Sequence, residues 1–158
     1  MLTLTSPAFA HNGRIPAKYT CDGDGTLSPP LAMVGVPEGA KSLVLIMDDS
    51  DIPHVAKEKH GIESFDHWVL FNIPPEMSEI PEGGTAGEAG VTTRGEARYT
   101  GPCPPPEYEP SEHRYIFTLY ALSGVLSFSE APTAEQVRSA LAPTLIEKAE
   151  LIGRYSRK

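Results

Sequence analysis

The chain has 158 residues, of which 40% are hydrophobic, and its net charge is −8. This length suits a single domain over 1–158 that is large enough to bury a core. Lysine and arginine form no block, which excludes a broad nucleic-acid interface, and the acidic balance disfavours docking on anionic lipid surfaces. No stretch approaches the roughly 20 apolar residues of a membrane span, and 1–10 does not resemble a signal peptide. We therefore expect a soluble, cytoplasmic protein without a transmembrane segment.

The first 30 residues predict mainly loops. Leu2 and Leu4 begin a short alternating segment, and 11–30 is rich in turn residues. The turn at Asp22–Gly25 lacks the ligand spacing of a calcium loop, so we expect solvated turns there. Sixteen prolines and fourteen glycines are spread along the whole chain, which indicates ordered loops between strands rather than a disordered tract.

Three apolar runs predict the main strands. Residues 42–47 form a continuous apolar run, which is typical of a strand buried on both faces. Residues 67–73 form a second run that stops at two prolines, and 114–122 is rich in aromatic and β-branched residues. Residues 82–101 are rich in glycine and lack periodicity, so we expect a loop region.

Helix is predicted only near the C-terminus. Thr133 and Gln136 have the spacing of a capping box, and Val137 and Leu141 begin an apolar stripe. Pro143 is expected to kink this helix or to open a second turn, with the stripe continuing through Leu145, Ile146 and Ala149 and a last strand over 151–155. Because helices do not alternate with strands, the order favours a mostly antiparallel β-sandwich with one C-terminal helical segment.

Polar residues follow or begin each of the three strands. Asp49 and Asp51 follow the first run, His67 begins the second, and His113 and Tyr115 lie at the start of the third. Residues two apart in a strand share a face, so the last two point the same way. Together with the rigid loop residues, they predict one small polar site. Its candidate residues are Asp49, Asp51, Pro53, His67, Gly101, Pro102, His113 and Tyr115.

Structural roles are the alternative for each of these residues taken alone. The aspartates could be turn residues that bond their own backbone, the histidines hydrogen-bonded strand residues, and Tyr115 part of the core. A site with two histidines and two carboxylates suggests a metal, but no usual histidine-ligand spacing supports it, so we expect no metal and no cofactor. Ser50 lacks the nucleophile elbow of a serine hydrolase. His11, His54 and His60 fall in predicted polar loops and receive no role.

The ordered set of motifs resembles the phosphatidylethanolamine-binding protein family, also called Raf kinase inhibitor-like proteins, in its short bacterial and archaeal branch. The resemblance covers nearly the whole chain. The matching segments are Asp49-Ser50-Asp51-Ile52-Pro53, Asp66-His67-Trp68-Val69, Gly101-Pro102-Cys103-Pro104-Pro105, His113-Arg114-Tyr115, Ser28-Pro29-Pro30-Leu31 and Leu151-Ile152-Gly153-Arg154-Tyr155. Ser50 and Ile52 depart from the family pattern, which has proline and alanine there.

The resemblance implies a central antiparallel sheet packed against a smaller sheet, and a pocket for phosphate-type anions or phospholipid head groups. Imidazole, phenol and backbone donors near Gly101 would hold the anion, with Asp49 favouring protonated His67 or His113. It also implies a regulatory role as an inhibitor of a protein kinase or protease, and a homodimer is left open. The alternative is a hydrolase or transferase, with or without a metal, that uses histidine and aspartate as acid and base. Because the sequence offers no activated nucleophile, we favour a binding protein over an enzyme.

Cys21 and Cys103 are the two cysteines of the chain. A reducing compartment favours two free thiols, unless the source is a hyperthermophile. The resemblance places their flanking loops at the same pocket, where a disulfide would brace the Gly101-Pro102 loop. Both states stay open at this point.

Overall fold

The computed structural model describes residues 1–157 as nine strands and two α-helices in a β-rich fold. The strands are β1 (Thr3–Thr5), β2 (Gly13–Arg14), β3 (Leu31–Val34), β4 (Ser42–Asp49), β5 (Phe65–Ile73), β6 (Glu79–Ile80), β7 (Glu88–Ala89), β8 (Glu112–Leu122) and β9 (Leu145–Ser156). The helices are α1 (His54–His60) and α2 (Ala134–Ser139).

The strands form two sheets. The larger sheet has the order β2-β9-β8-β4-β5-β7, and the smaller sheet has the order β1-β3-β6. All pairings are antiparallel except the short parallel pairing of β2 with β9. The predicted central antiparallel sheet packed against a smaller sheet is confirmed.

Strand β4 lies at the centre of the larger sheet and is buried on both faces, as its continuous apolar run predicts. Leu43, Leu45 and Met47 point into the apolar cluster that includes the smaller sheet. Val44 and Ile46 point into a second cluster, which α2 covers. The alternation of side chains along one strand therefore places apolar layers on both sides of the sheet.

The C-terminal helix is shorter than the apolar stripe predicted. Thr133 caps α2 through the expected capping box with Gln136, but the helix ends at Ser139. The second half of the predicted stripe, Leu145, Ile146 and Ala149, belongs to β9, which pairs with β8 along nearly its whole length. Pro143 therefore separates a helix from a strand instead of kinking one helix. The apolar residues over 145–149 fit both a helical and a strand periodicity, and pairing with β8 makes this segment a strand.

Helix α1 was not predicted, and the placement of His54 and His60 in loops was wrong. Pro53 precedes the helix, a position where its fixed backbone angle suits the entry. Gly61 ends the helix in the left-handed conformation, with φ at 63°. No residue of α1 is buried, so the helix has no apolar face for a periodicity search to detect.

No helix within residues 1–157 is both long enough and apolar enough to cross a membrane.

Candidate functional site

A cavity of about 270 Å³ opens at one end of the larger sheet. Because β4 runs antiparallel to both β5 and β8, the end of β4 lies beside the starts of its two neighbours. The loop that precedes β8 closes the remaining side. The residues lining the cavity are Asp49, Ile52, Phe65, His67, Arg94, Thr100, Gly101, Cys103, Pro104, Pro105, His113 and Tyr115.

Of the eight predicted site residues, five line this cavity within the described chain: Asp49, His67, Gly101, His113 and Tyr115. The other three, Asp51, Pro53 and Pro102, lie beside the cavity and shape its surroundings. The residues at the strand ends therefore meet in the cavity, as the sheet topology requires. The predicted residues Asp51, Pro53 and Pro102 of the adjoining loops do not line it.

Asp49 and His113 form a buried pair at the base of the cavity. The Nδ1–H of His113 donates to Oδ2 of Asp49 over 2.6 Å, and the two side chains are 3% exposed for the aspartate and 1% for the histidine. The other carboxylate oxygen of Asp49 accepts a 2.7 Å hydrogen bond from the backbone N–H of Asp51. Within residues 1–157, the Nε2 atom of His113 is buried and has no hydrogen-bond partner. A buried polar atom without a partner is costly, which makes this nitrogen the clearest attachment point for a ligand.

His67 is held differently. Its Nδ1–H donates to the carbonyl of Thr100 over 2.7 Å. Burial lowers the pKa of His67, and the nearby Asp49 and Asp66 only partly oppose this effect. Asp49 favours the protonated form of His67, as expected, but desolvation outweighs this attraction, so the pKa of His67 is lowered overall. With the proton on Nδ1, the Nε2 atom of the neutral ring carries a lone pair and acts as an acceptor.

Tyr115 supplies a phenol to the cavity. It shares a face of β8 with His113, as the strand alternation predicts, and both side chains are 1% exposed. Burial raises the pKa of Tyr115 well above its ordinary value, so the phenol keeps its proton. Its ring packs edge-on against His67, with 5.3 Å between ring centroids. This packing fixes the orientation of the imidazole.

Asp51 points toward Arg114 rather than into the cavity. Its carboxylate accepts hydrogen bonds from the backbone N–H, Nε and Nη2 of Arg114 at 2.8–2.9 Å. This guanidinium holds the pKa of the Asp51 carboxyl below its usual range. Asp51 therefore fixes the β4–α1 connection to the start of β8, and Pro53 begins α1 beyond it.

The Gly101-Pro102 loop is tied to the segment around Cys21. A Cβ atom at Gly101 would lie 2.7 Å from the carbonyl oxygen of Tyr19, so only glycine fits this close approach. The N–H of Gly101 donates to the carbonyl of Gly25, and that of Cys21 donates to the carbonyl of Pro102. The N–H of Gly101 itself is therefore already engaged and is not one of the backbone donors near Gly101 that could contact an anion.

Cys21 and Cys103 form a disulfide, which settles the alternative that the sequence left open. Their Cα atoms are 5.4 Å apart, within the range that a disulfide needs. Since Cys103 lines the cavity, the bond fixes one of its walls to the Cys21 turn.

Arg94 is the main lining residue that sequence reasoning missed. It lies in the glycine-rich loop region, where no periodicity marks individual residues. Backbone bonds between this region and β5, from Thr93 to Asp66 and from Thr100 to His67, carry it to the cavity. Its side chain is 65% exposed, and its Nε atom lies 3.9 Å from Glu96. The cavity therefore has an exposed cationic group at its rim and a buried polar base.

Within the described 157 residues, no group of three or more histidine, cysteine, aspartate or glutamate side chains is arranged to hold a metal ion. The Asp49–His113 pair lies beside His67, but the Nδ1 atoms of both histidines are engaged by oxygen acceptors.

Comparison with known proteins agrees with this fold. The family model described as phosphatidylethanolamine-binding protein matches residues 5–156. A UPF0098 protein of Chlamydia pneumoniae is 42% identical over 157 residues, which cover 99% of both chains. Another, from Methanothermobacter thermautotrophicus, is 40% identical over 163 residues with the same coverage of both chains.

Two solved structures superpose over almost the full length. The first is described as a homologue of phosphatidylethanolamine-binding protein from Chlamydia trachomatis. It is 42% identical, with a TM-score of 0.90, and the match covers 99% of this chain and 98% of that one. YbcL of Escherichia coli, described as a member of the mammalian family, is 26% identical with a TM-score of 0.84 and 99% coverage of both chains. The chain therefore belongs to the phosphatidylethanolamine-binding protein family.

Proposed function

We propose that the cavity binds a phosphate-type anion, either free or as part of a small phosphomonoester or a phospholipid head group. The observation that carries this proposal is the buried Nε2 atom of His113, which has no partner among the described residues while Nδ1–H donates to Asp49. When Nε2 also carries a proton, the ring is an imidazolium. Its Nε2–H can then donate to an oxyanion, with the Asp49 carboxylate as the counter-ion of the ring.

Other groups of the cavity complement such a ligand. The protonated phenol of Tyr115 is a second donor, and Arg94 brings a positive charge to the rim. Neutral His67 offers an acceptor for the P–OH group of a monoanion. The overall charge of −8 repels anions, so these local groups must supply the attraction.

The shape of the cavity limits the size of the ligand. About 270 Å³ is close to the lower end of the range for small-molecule sites, which begins at roughly 300 Å³. Ile52, Phe65 and Pro104 give one side an apolar character. We therefore expect a phosphate or head group to enter while any larger remainder of the ligand stays outside.

Binding is favoured over the hydrolase or transferase alternative. Asp49 and His113 resemble the base and orienting residue of a catalytic triad, but such a pair needs a nucleophile. Among the described lining residues, the hydroxyl groups belong to Thr100 and Tyr115, and burial keeps the latter protonated. Cys103 is committed to the disulfide.

The test is titration of the protein with inorganic phosphate and with phosphoethanolamine, followed by calorimetry or NMR. In His113→Asn the amide can still donate to Asp49, but the Nε2 atom is lost. We expect its affinity to fall by about 10- to 100-fold, which corresponds to a charge-assisted hydrogen bond of about 1.5–3 kcal/mol. Arg94→Gln is expected to weaken binding less, because that side chain is exposed.

Arg98→Gln is the matched control, since Arg98 is also an exposed arginine that pairs with Glu96 but does not line the cavity. Its affinity should equal that of the unmodified protein. Unchanged affinity in His113→Asn would remove Nε2 from the site, and absence of binding by both ligands at millimolar concentration would overturn the proposal. Phosphoethanolamine binding without phosphate binding would identify the head group as the ligand.

A further inference from the structure

A second cavity, of about 410 Å³, lies beside β5 and shares no lining residue with the first. Its volume falls within the range of roughly 300–1,000 Å³ that is typical of small-molecule sites. Most of its wall comes from segment 83–99, of whose described residues the first cavity uses only Arg94. The residues lining the second cavity are Thr26, Ser28, Trp68, Leu70, Gly83, Gly84, Thr85, Gly87, Ala89, Ala97, Arg98 and Tyr99.

The walls of the second cavity present backbone more than side chains. Five of the lining residues are glycine or alanine, namely Gly83, Gly84, Gly87, Ala89 and Ala97. Within residues 1–157, the backbone N–H and C=O groups of 85–87 and of 97–99 form no hydrogen bond with another part of the chain. These two segments therefore offer unpaired donors and acceptors, which is the property that lets a sheet edge accept another strand.

Trp68 places an unpaired donor at the floor of this cavity. Its side chain belongs to the larger apolar cluster and is only 3% exposed. In the described chain its indole N–H donates no hydrogen bond, yet its nitrogen is not among the unpaired atoms that are shut off from solvent. Because the core encloses the rest of the ring and Trp68 lines the cavity, this nitrogen reaches solvent through the cavity. A buried indole N–H ordinarily has an acceptor, so this one calls for a ligand with an oxygen atom.

The charges at the cavity are already paired. Among the described lining residues, Arg98 alone is charged, and its Nη2 atom lies 2.7 Å from the carboxylate of Glu96. Beside the wall at Gly83, the carboxylate of Glu82 lies 2.7 Å from Nζ of Lys18. An ionic ligand would therefore compete with existing ion pairs, and an uncharged ligand would not.

We propose that the second cavity binds an uncharged segment of peptide in an extended conformation. A carbonyl of the peptide accepts from the indole N–H of Trp68, and its other main-chain groups pair with those of 85–87 and 97–99. An apolar side chain of the peptide packs on Leu70 at the floor. Extended peptides bind to exposed strand edges in this way, with affinity from main-chain hydrogen bonds and specificity from the side chains.

Other classes of ligand complement the cavity less well. A phosphate-type anion finds no unpaired cation among the described lining residues. A wholly apolar ligand would displace water from the backbone groups of 85–87 and 97–99 without replacing its hydrogen bonds, which is costly. A peptide main chain carries both donors and acceptors, so it satisfies the walls and the indole N–H together.

The test uses the indole resonance of Trp68, which is the single tryptophan of the chain. Isotope-labelled protein is titrated with the tripeptide acetyl-Thr-Val-Thr-amide and followed by NMR. We expect a saturable downfield shift of the indole N–H, with amide shifts in 85–87 and 97–99. The same tripeptide with its main-chain nitrogens methylated keeps its carbonyls but loses its donors. It should bind at least about tenfold more weakly, since two or more hydrogen bonds are lost.

Variants of the protein locate the contact. Trp68→Phe keeps a ring at the floor but removes the N–H, so the affinity, now read from the amides of 85–87, should fall about 2- to 10-fold. Ala97→Phe fills the exposed wall and should abolish binding. Ala131→Phe, at an exposed position outside the cavity, is the matched control and should bind as the unmodified protein does.

Saturating phosphate separates this proposal from the function proposed for the first cavity. Because the cavities share no lining residue, phosphate should leave the affinity for the tripeptide unchanged. Tripeptide binding without any phosphate binding would support the second cavity and count only against the first. Absence of a saturable indole shift, equal binding of the methylated tripeptide, or unchanged binding in Ala97→Phe would overturn the proposal.

Discussion

His67 and His113 line the same cavity, and different acceptors hold their Nδ1 protons. The neutral carbonyl of Thr100 accepts from His67, whereas the carboxylate of Asp49 accepts from His113. For His67, burial outweighs the opposing effects of the Thr100 carbonyl and the nearby aspartates, so its pKa is lowered. In the proposed complex, His67 would accept a hydrogen bond from the ligand, and His113 would donate one to it.

The lowered pKa of His67 predicts a loss of stability in mild acid. The unfolded histidine takes up a proton below about pH 6.5. The folded state does so only at a lower pH, so the unfolded state binds more protons in between. The free energy of unfolding should then fall by about 1.4 kcal/mol per pH unit in this window because of His67 alone. Well above the ordinary histidine pKa the contribution is constant.

Urea denaturation of the protein and of His67→Asn at a series of pH values from neutral to mildly acidic would measure this effect. The asparagine amide can donate to the carbonyl of Thr100 but does not titrate. The variant should therefore show a shallower loss of stability than the unmodified protein. Equal slopes for the two proteins would assign the loss to other groups.

The sequence predicted the residues at the strand ends better than those in the loops. Asp49, His67 and His113 could be placed together because antiparallel neighbours bring their ends to one side. The same reasoning was insufficient for Asp51. Its carboxylate binds Arg114, the residue next to His113, instead of pointing into the cavity. Nothing in the loop sequence distinguished Arg94, whose position depends on backbone bonds to β5.

Local signals and long-range pairing compete at the level of single elements. The capping box at Thr133 correctly predicted where α2 begins, since both of its hydrogen bonds join Thr133 to the nearby Gln136. The end of α2 and the length of β9 depend on pairing with β8, which the local pattern does not contain. For α1, Pro53 and Gly61 carried a local signal, but its exposed sequence has no apolar stripe.

The capping box gives a prediction at this scale. In Thr133→Ala, the N–H of Gln136 loses its side-chain acceptor, so the free energy of unfolding should fall by about 1 kcal/mol. Chemical denaturation measures the change. Ser139→Ala, an exposed substitution at the other end of α2, should remain within about 0.5 kcal/mol of the unmodified protein. An equally stable Thr133→Ala would show that the packing of Val137 alone fixes the helix.

At the scale of the whole molecule, the sheets and the loops are stabilised in different ways. The sheets enclose two apolar clusters, which the long apolar strands made predictable. The loops near the cavity place some residues, such as Tyr19 and Tyr99, in the larger apolar cluster, and they are also held by specific hydrogen bonds between distant segments. Tyr99, for example, donates from its hydroxyl to the carbonyl of Tyr19, 80 residues away. Because these hydrogen bonds join segments that are distant in the chain, the sequence alone could not predict which of them form.

The disulfide is the strongest of these ties and gives the last prediction. Cys21 and Cys103 are separated by 82 residues, and closing so long a loop restricts the unfolded chain considerably. The double variant Cys21→Ser/Cys103→Ser should therefore lose about 2–4 kcal/mol in the free energy of unfolding, measured in urea. It should still fold, since neither apolar cluster includes these residues.

Reductant supplies the control for this experiment. Dithiothreitol should lower the stability of the unmodified protein to that of the double serine variant and leave the variant itself unchanged. Because the bond fixes the wall at Cys103, hydrogen exchange should also accelerate in 101–105 after reduction, while β4 stays protected. Two free thiols in the denatured, unreduced protein, or stability unaffected by reductant, would contradict the prediction. Faster exchange confined to this loop would show that the bond braces the cavity rather than the core.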